Sequence, residues 1–555
     1  VKQSGPILLV VWTVLLAVVL MLITSWWLSR NDLPNGFQNE ADHLYTLSEV
    51  YFRLRDNSYS DAHDAMWGEY YPPMNHMVAM VGMTLFGRSR EVATLSLGSF
   101  AVLLLIAVAL IGRRVRGSPT AAFAVGLVAA YPAVFGNMRR YEPNIVLTGL
   151  VALAMALLLA GPSLRRLRGA VLFGLVAGLG LLCDRVVFAI YLLPPVLALL
   201  VLYRSQIEQR AALLKGLMIS LCVAILSSGY YYGNFLTSHL DEILTQLSGE
   251  VDATGLETAT YSPLSLRGLF YYPLSWVDCQ MGPALAAVTA LGLGLYAVKG
   301  RRTLEREPRV LLEAWLVGGL VLLTVVGKKQ PFYSIPILAP AAILAAVGWS
   351  SLRTRSLRAA VAAAVILLSV HQLLFLTQHR GLVPSPGRWS WLAGSSPFPA
   401  QWLGYEYTQA AAPFEQNLRL DKAVDLCQGV ADPGRPYTLL FSEGGAAEEG
   451  QLMPTLRLAL DTRLVEGVRK SPPEAIAENL LNSSCFIYVG VEGRPWPSAS
   501  SVAATMDRFN AGALPEALLT SLENMRSRGE LLGSWMSVGA EEVHVYALGG
   551  AISAP

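Results

Sequence analysis

The chain has 555 residues, of which 53 % are hydrophobic and only 15 % charged, and its mean hydropathy is +0.44. Its apolar residues gather in separate blocks of membrane-spanning length, which excludes a soluble globular protein and predicts a polytopic α-helical membrane protein. The formal net charge of +2 says little about partners, and no basic patch interleaved with aromatics lies outside the short basic loops, which excludes nucleic acid binding.

The first block, Ile7 to Leu22 with Trp26 and Trp27 behind it, has no small-residue cleavage site and reads as an uncleaved anchor. Apolar segments at Leu8–Leu28, Val92–Ile111, Thr120–Phe135, Asn144–Ala160, Ala170–Cys183, Val186–Tyr203, Ala211–Tyr232, Met281–Val298, Val310–Val326, Ser334–Trp349 and Leu357–Phe375 predict about eleven transmembrane helices. With a cytoplasmic N-terminus, the loops that carry Arg113, Arg114 and Arg116, then Arg165, Arg166 and Arg168, then Arg204, Arg210 and Lys215, then Lys299 to Arg309, then Arg353, Arg355 and Arg358 all fall inside. Every alternate loop is then basic, as the positive-inside rule requires. The expected location is the inner (plasma) membrane.

The first outside loop, 29–90, is too long for a connector. Leu44, Leu47, Val50, Tyr51 and Leu54 recur in it at helical spacing, which predicts an amphipathic helix on the membrane surface. Tyr71-Pro72-Pro73 opens a second interfacial helix, Met74 to Phe86, too short to span. The loop 233–270 is acidic and reads as a solvated connector or a lid. The membrane part is expected over 1–377 and a soluble α/β domain, outside the membrane, over 378–555. In that tail Tyr437–Ser442, Cys485–Val491 and Glu542–Leu548 read as strands and Gln451–Asp461, Pro473–Leu481 and Val502–Arg528 as helices. Cys427 and Cys485 can pair if the tail lies in an oxidising compartment; five cysteines are too few for a disulfide scaffold.

Three clusters carry candidate chemistry. Glu40 and Asp42 follow the first span at the start of the surface helix, where they either complement its dipole or serve as a general base. Arg139-Arg140-Tyr141-Glu142-Pro143-Asn144 occupies an outer hairpin end, with Arg185 at another. Lys328, Lys329 and Tyr333 stand at the mouth of a late span, where two ammonium groups suit a lipid phosphate. His43, His63 and His76 share the first loop with several acids but lack metal-site spacing, so they read first as surface or packing residues, with a divalent metal as the lesser alternative and no other cofactor.

These segments resemble the bacterial dolichyl-phosphate-mannose protein mannosyltransferases and the lipid A aminoarabinose transferases of GT-C fold. The resemblance rests on Asn39-Glu40 after the first span, on Tyr71-Pro72-Pro73, and on Lys329, Tyr333 and Pro336 in a Lys-x-x-x-Tyr-x-x-Pro pattern. It covers roughly residues 8–375 and implies transfer of a sugar, with inversion, from a polyprenyl-phosphate carrier to a protein or lipid acceptor at the outer face. Such a transfer needs a base, for which Glu40 and Asp42 are the candidates, and fixed cations for the departing phosphate; Lys328, Lys329, Arg139, Arg140 and Arg185, at expected outer helix ends, either supply these or individually snorkel to the interface, with Tyr333 beside them and Asn39, His43, Tyr71 and Glu142 as pocket residues. Where the family has its aspartate this chain has Asn39, an amide that accepts no proton at neutral pH. Either Glu40 or Asp42 has taken over, or the chain is an inactive scaffold in a membrane complex, with the tail as its docking module. Glu142 either replaces an acid that relatives carry near Asn144 or neutralises Arg139 or Arg140.

Overall fold

The structure is a computed structural model that describes residues 4–31, 38–68, 71–159, 164–238, 259–260, 265–326, 328–378, 418–429, 437–442, 465–467, 483–491, 530–536 and 541–547. The chain forms two compact units, the first made of Val1–Ser25, Trp67–Val78 and Leu95–Pro413, the second of Trp26–Met66, Ala79–Thr94 and Phe414–Pro555.

The helices are α1 (Ser4–Leu28), α2 (Gln38–Arg55), α3 (Tyr59–Trp67), α4 (Met74–Phe86), α5 (Arg90–Arg116), α6 (Ser118–Ala130), α7 (Pro132–Asn137), α8 (Asn144–Leu159), α9 (Leu167–Leu181), α10 (Arg185–Leu202) and α11 (Ile207–Ser238). After a two-residue strand, β1 (Ala259–Thr260), come α12 (Leu266–Ser275), α13 (Pro283–Leu295), α14 (Arg306–Glu313) and α15 (Gly319–Val325). Strand β2 (Lys328–Lys329), a 3-10 helix (Pro331–Ile337), α16 (Leu338–Ser350) and α17 (Arg355–Gln378) complete the helical part.

Every apolar segment expected to span is helical. Among the described residues, seven helices are long and apolar enough to cross a membrane, while Ser118–Ala130, Asn144–Leu159, Leu167–Leu181 and Val187–Leu202 fall in the range of 10–17 residues. At 1.5 Å per residue these four are shorter than a bilayer core of about 30 Å. One cause is visible at Tyr131, where Pro132 ends α6 and starts α7.

In the first unit the Pro331–Ser350 span lies at the centre, with 83 % of its apolar window buried, whereas Arg355–Leu374 at 11 % faces outward. Helices α9 and α11 touch along their backbones. A Cβ added at Gly174 would lie 2.5 Å from the Ser220 carbonyl oxygen, and the Ser220 hydroxyl donates to the Ala170 carbonyl at 2.8 Å. Close helix packing accounts for this glycine, as it does for small residues in membrane bundles generally.

In the second unit, α2 buries Leu44, Leu47, Val50 and Phe52. Of the expected apolar face, Leu44, Leu47 and Val50 are covered by protein, while Tyr51 and Leu54 are half-buried. The tail holds α18 (Leu420–Gly429) and strands β3 (Tyr437–Ser442), β4 (Val465–Gly467), β5 (Ser483–Val491), β6 (Glu530–Met536) and β7 (Glu541–Ala547). They form one sheet in the order β4-β3-β5-β7-β6, with β4, β3 and β5 parallel and β7 antiparallel to β5 and β6. Leu420, Val424, Ile487, Val489, Val543 and Val545 pack its core, and the Cys427–Cys485 disulfide ties α18 to β5. The expected strands are β3, β5 and β7; the helices expected at Gln451–Asp461, Pro473–Leu481 and Val502–Arg528 lie outside the described residues.

Candidate functional site

The Arg139–Asn144 corner is built by a sharp stop. Helix α7 is only six residues long, after which the chain bends until Asn144 opens α8. Arg139, Arg140, Tyr141, Glu142 and Asn144 are all buried, so their polar groups need internal partners. Arg140 pairs with Glu142 at 3.3 Å, and Asn144 Nδ2 donates to Glu142 Oε2 at 2.7 Å and to Asn137 Oδ1 at 3.2 Å. Arg139 lies over the Phe135 ring at 5.2 Å, and burial pushes its guanidinium down to about 9. Glu142 thus neutralises Arg140, which favours that one of its two sequence readings.

Two further segments close on this corner. Tyr71 is half-buried and Pro72 and Pro73 are buried ahead of α4; the Met74 N–H donates to the Leu182 carbonyl, and His76 Nδ1 lies 3.2 Å from the Tyr141 hydroxyl. Between α9 and α10, the Cys183 thiol donates to the Pro143 carbonyl at 3.4 Å and Asp184 caps α10, its Oδ1 accepting from Val187 N at 3.0 Å.

The second corner carries Lys329. Its ammonium donates to the Leu323 and Thr324 carbonyls at 2.8 and 2.5 Å, the last turn of α15, where a cation also complements the helix dipole. It lies 5.5 Å from the centre of the Tyr272 ring. Burial pushes its pKa down to about 8. Sequence reading gave Lys329 to donor phosphate alone; two of its three N–H donors already serve the helix end. Lys328 pairs through its backbone with Thr260, as Lys329 does with Ala259.

Downstream, Gln280 Nε2 donates to the Pro331 carbonyl and to Ser334 Oγ, and the Tyr191 hydroxyl donates to the Tyr333 carbonyl. Tyr333 itself is half-buried. The two corners are neighbours because α7 and α8 both pack on Pro331–Ile337 and α10 packs on both α8 and α15. Arg185 begins α10, but its side chain and that of Lys328 lie outside the described residues.

The carboxylates after the first span belong to the second unit. Glu40 is fully enclosed and lies 3.5 Å from Arg90, which also donates to the Asn31 carbonyl at 2.8 Å. These contacts tie Asn31, Glu40 and Arg90 together within the second unit. Asp42, two residues along the same helix, is exposed. His43 is buried, which pushes its imidazole down to about 4, so it is neutral at pH 7. Asn39 lies in the first turn of α2, with its side chain outside the described residues. Among the described residues no cluster of His, Cys, Asp or Glu is arranged to hold a metal ion.

Sequence reading missed Arg90, Asp184, Tyr191, Tyr272 and Gln280. Arg90 carries a recoverable signal, since a cation in the first turn of a helix opposes the dipole and needs an anion. The others lie inside or beside apolar runs, where only tertiary contacts reveal their roles.

A model of the family described as dolichyl-phosphate-mannose-protein mannosyltransferase matches residues 71–228. No curated protein matches in sequence. Among solved structures, ArnT from Cupriavidus metallidurans bound to undecaprenyl phosphate aligns at a TM-score of 0.56 and 16 % identity over 98 % of this chain and 99 % of that one, and its apo state aligns with the same values. The Archaeoglobus fulgidus oligosaccharyltransferase in complex with Zn and sulfate aligns over 96 % of this chain and 73 % of that one, at a TM-score of 0.46 and 14 % identity. This chain is a multi-pass membrane protein with the GT-C-like fold seen in ArnT.

Proposed function

We propose that the protein is an integral membrane glycosyltransferase that moves a sugar from a polyprenyl-phosphate carrier to a protein or lipid acceptor at the outer face of the membrane. The observation that carries this reading is the placement of Arg139 and Arg140 on helix ends adjacent to those of Lys329 and Tyr333, all in the first unit. A departing lipid phosphate gains negative charge as the sugar leaves, and fixed cations in a poorly hydrated site stabilise that charge without reorganising. ArnT, whose fold this chain has, was crystallised with undecaprenyl phosphate.

Arg139 and Arg140 are assigned to the phosphate, Arg140 being held in place by Glu142. Lys329 adds its charge from the end of α15, with Lys328, Arg185 and Tyr333 in support. His43, Tyr71 and Asn39 are retained as pocket residues. The alternation of basic loops and a disulfide in the tail, a bond of oxidising compartments, support a cytoplasmic N-terminus and an extracytoplasmic tail. We assign the tail to acceptor choice or to contacts with membrane partners.

The experiment is binding of undecaprenyl phosphate to the purified protein and to Arg139→Gln. Loss of a charge-assisted contact is expected to weaken binding about 10- to 100-fold; an unchanged affinity removes Arg139 from the site.

The rival reading, an inactive scaffold, is favoured by the enclosure of Glu40 against Arg90. Glu40 and Asp42 are the bases the family resemblance nominates. Changing each to Ala and following sugar release from undecaprenyl-phosphate-linked hexoses tests them, and unchanged turnover in both variants removes the pair as base.

A further inference from the structure

Inverting transfer needs a carboxylate near the cations that hold the leaving phosphate, because the acceptor loses its proton as it attacks the carbon that the phosphate leaves. Within the first unit, Glu142 is buried between Arg140 and Asn144 and is poorly placed to collect a proton from an incoming hydroxyl. Asp184 differs. It is half-buried, stands at a helix end, and is next in sequence to Cys183, whose thiol touches the Pro143 carbonyl of the first corner.

Tyr191 lies in the second turn of α10, the helix that Asp184 caps. Tyr191 bonds to the Tyr333 carbonyl and the Tyr272 ring lies against Lys329. The aspartate therefore opens the helix that runs from the Arg139–Asn144 corner, touched by Cys183, to the Lys329–Tyr333 corner, touched by Tyr191.

We propose that Asp184 is the general base of this site, taking the proton of an acceptor hydroxyl or amine. The proposal rests on the glycosyltransferase reading above. In the step, the acceptor oxygen or nitrogen forms a bond to the anomeric carbon while the bond from that carbon to the carrier phosphate oxygen breaks. The bonding pair leaves with the polyprenyl phosphate, and the acceptor proton passes to the Asp184 carboxylate and then to water. Net charge is conserved, and no further reactant is needed.

The bland role of Asp184 is to cap α10 through Val187 N. Asn and Ser are equally good caps but not bases, which makes the two roles separable. The experiment uses the full-length protein in proteoliposomes made with its host's membrane extract as the source of acceptor. The probes are undecaprenyl phosphate for binding and undecaprenyl-phosphate-linked hexoses and pentoses for turnover, read as release of undecaprenyl phosphate by mass spectrometry.

Asp184→Asn and Asp184→Ser are expected to keep the melting temperature and undecaprenyl phosphate affinity while turnover falls about 100- to 10,000-fold. Asp184→Glu, which restores a carboxylate, is expected to recover part of the rate. Turnover of the Asn and Ser variants within about threefold of the unaltered protein overturns Asp184 as base while leaving the glycosyltransferase reading intact. Loss of affinity and turnover together, with no recovery by Glu, assigns Asp184 to structure and also overturns the proposal. Absence of turnover by the unaltered protein with every donor overturns the enzyme reading, and the base with it.

Discussion

The two cationic corners of the first unit solve the same problem differently. At Arg139–Asn144 a buried cation is held by side chains, Glu142 and then Asn144 and Asn137. At Lys329 it is held by main-chain carbonyls at the end of α15. A side-chain network fixes charge and geometry together, so it cannot lose a member without leaving another buried group unpaired. A helix end offers only partial charge and tolerates loss of its cation better. The lesson is that a cation can serve structure and ligand at once, held by main-chain carbonyls at Lys329 and by a carboxylate at Arg140.

The sharpest way to break this contrast is to remove one member from each corner. Glu142→Ala, which removes the carboxylate that pairs with Arg140, is expected to cost about 3 to 5 kcal/mol of stability, measured as a shift in unfolding of the detergent-solubilised protein. Lys329→Met leaves only carbonyls behind and is expected to cost about 1.5 to 3 kcal/mol. Equal losses would show that the two corners are built alike.

A smaller effect should come from pH. With its pKa pushed down to about 8, Lys329 is mostly charged at pH 7 and mostly neutral at pH 9. If its charge helps to hold phosphate, undecaprenyl phosphate affinity falls as pH rises through 8, by about tenfold between pH 7 and 9. Binding in that interval should also take up protons, because an anion beside the ammonium raises its pKa. Lys329→Arg, which stays charged, is expected to flatten the profile. An equally steep profile in that variant assigns the effect to another group.

The same comparison extends to the two carboxylates on α2. Asp42→Asn, at an exposed position, should change stability by no more than about 0.5 kcal/mol, while Glu40→Gln, which removes the charge facing Arg90, should cost several times more. Similar melting temperatures for the two variants would mean that the Glu40–Arg90 pair contributes little.

Much of the helical part was legible because apolar length is a strong signal, and the strands β3, β5 and β7 followed from runs such as Ser-Cys-Phe-Ile-Tyr-Val. Strand β6 was not legible: Gly533 falls where its register with β7 shifts, and such an irregularity breaks the two-residue alternation that marks a strand. The short helix Leu420–Gly429 was hidden for another reason, since its 10 residues give fewer than three turns of periodicity.

At the candidate site, composition pointed to Arg139, Arg140, Lys329 and Tyr333 but gave no means of dividing them between ligand and structure. That division depends on partners distant in sequence, such as Leu323 for Lys329 and Tyr191 for Tyr333. Glu40 illustrates the limit most clearly. Its place after the first span suggested a base, yet Arg90, fifty residues later in sequence, encloses it in an ion pair.

The central claim is that a lipid phosphate is held by the cations of these adjoining corners. A cryo-electron microscopy map of the protein in nanodiscs with undecaprenyl phosphate tests it most directly. The expected result is headgroup density within about 4 Å of the Arg139 guanidinium, with Lys329 or Lys328 on its other side. A headgroup resolved away from Arg139, Lys328 and Lys329 would contradict the account.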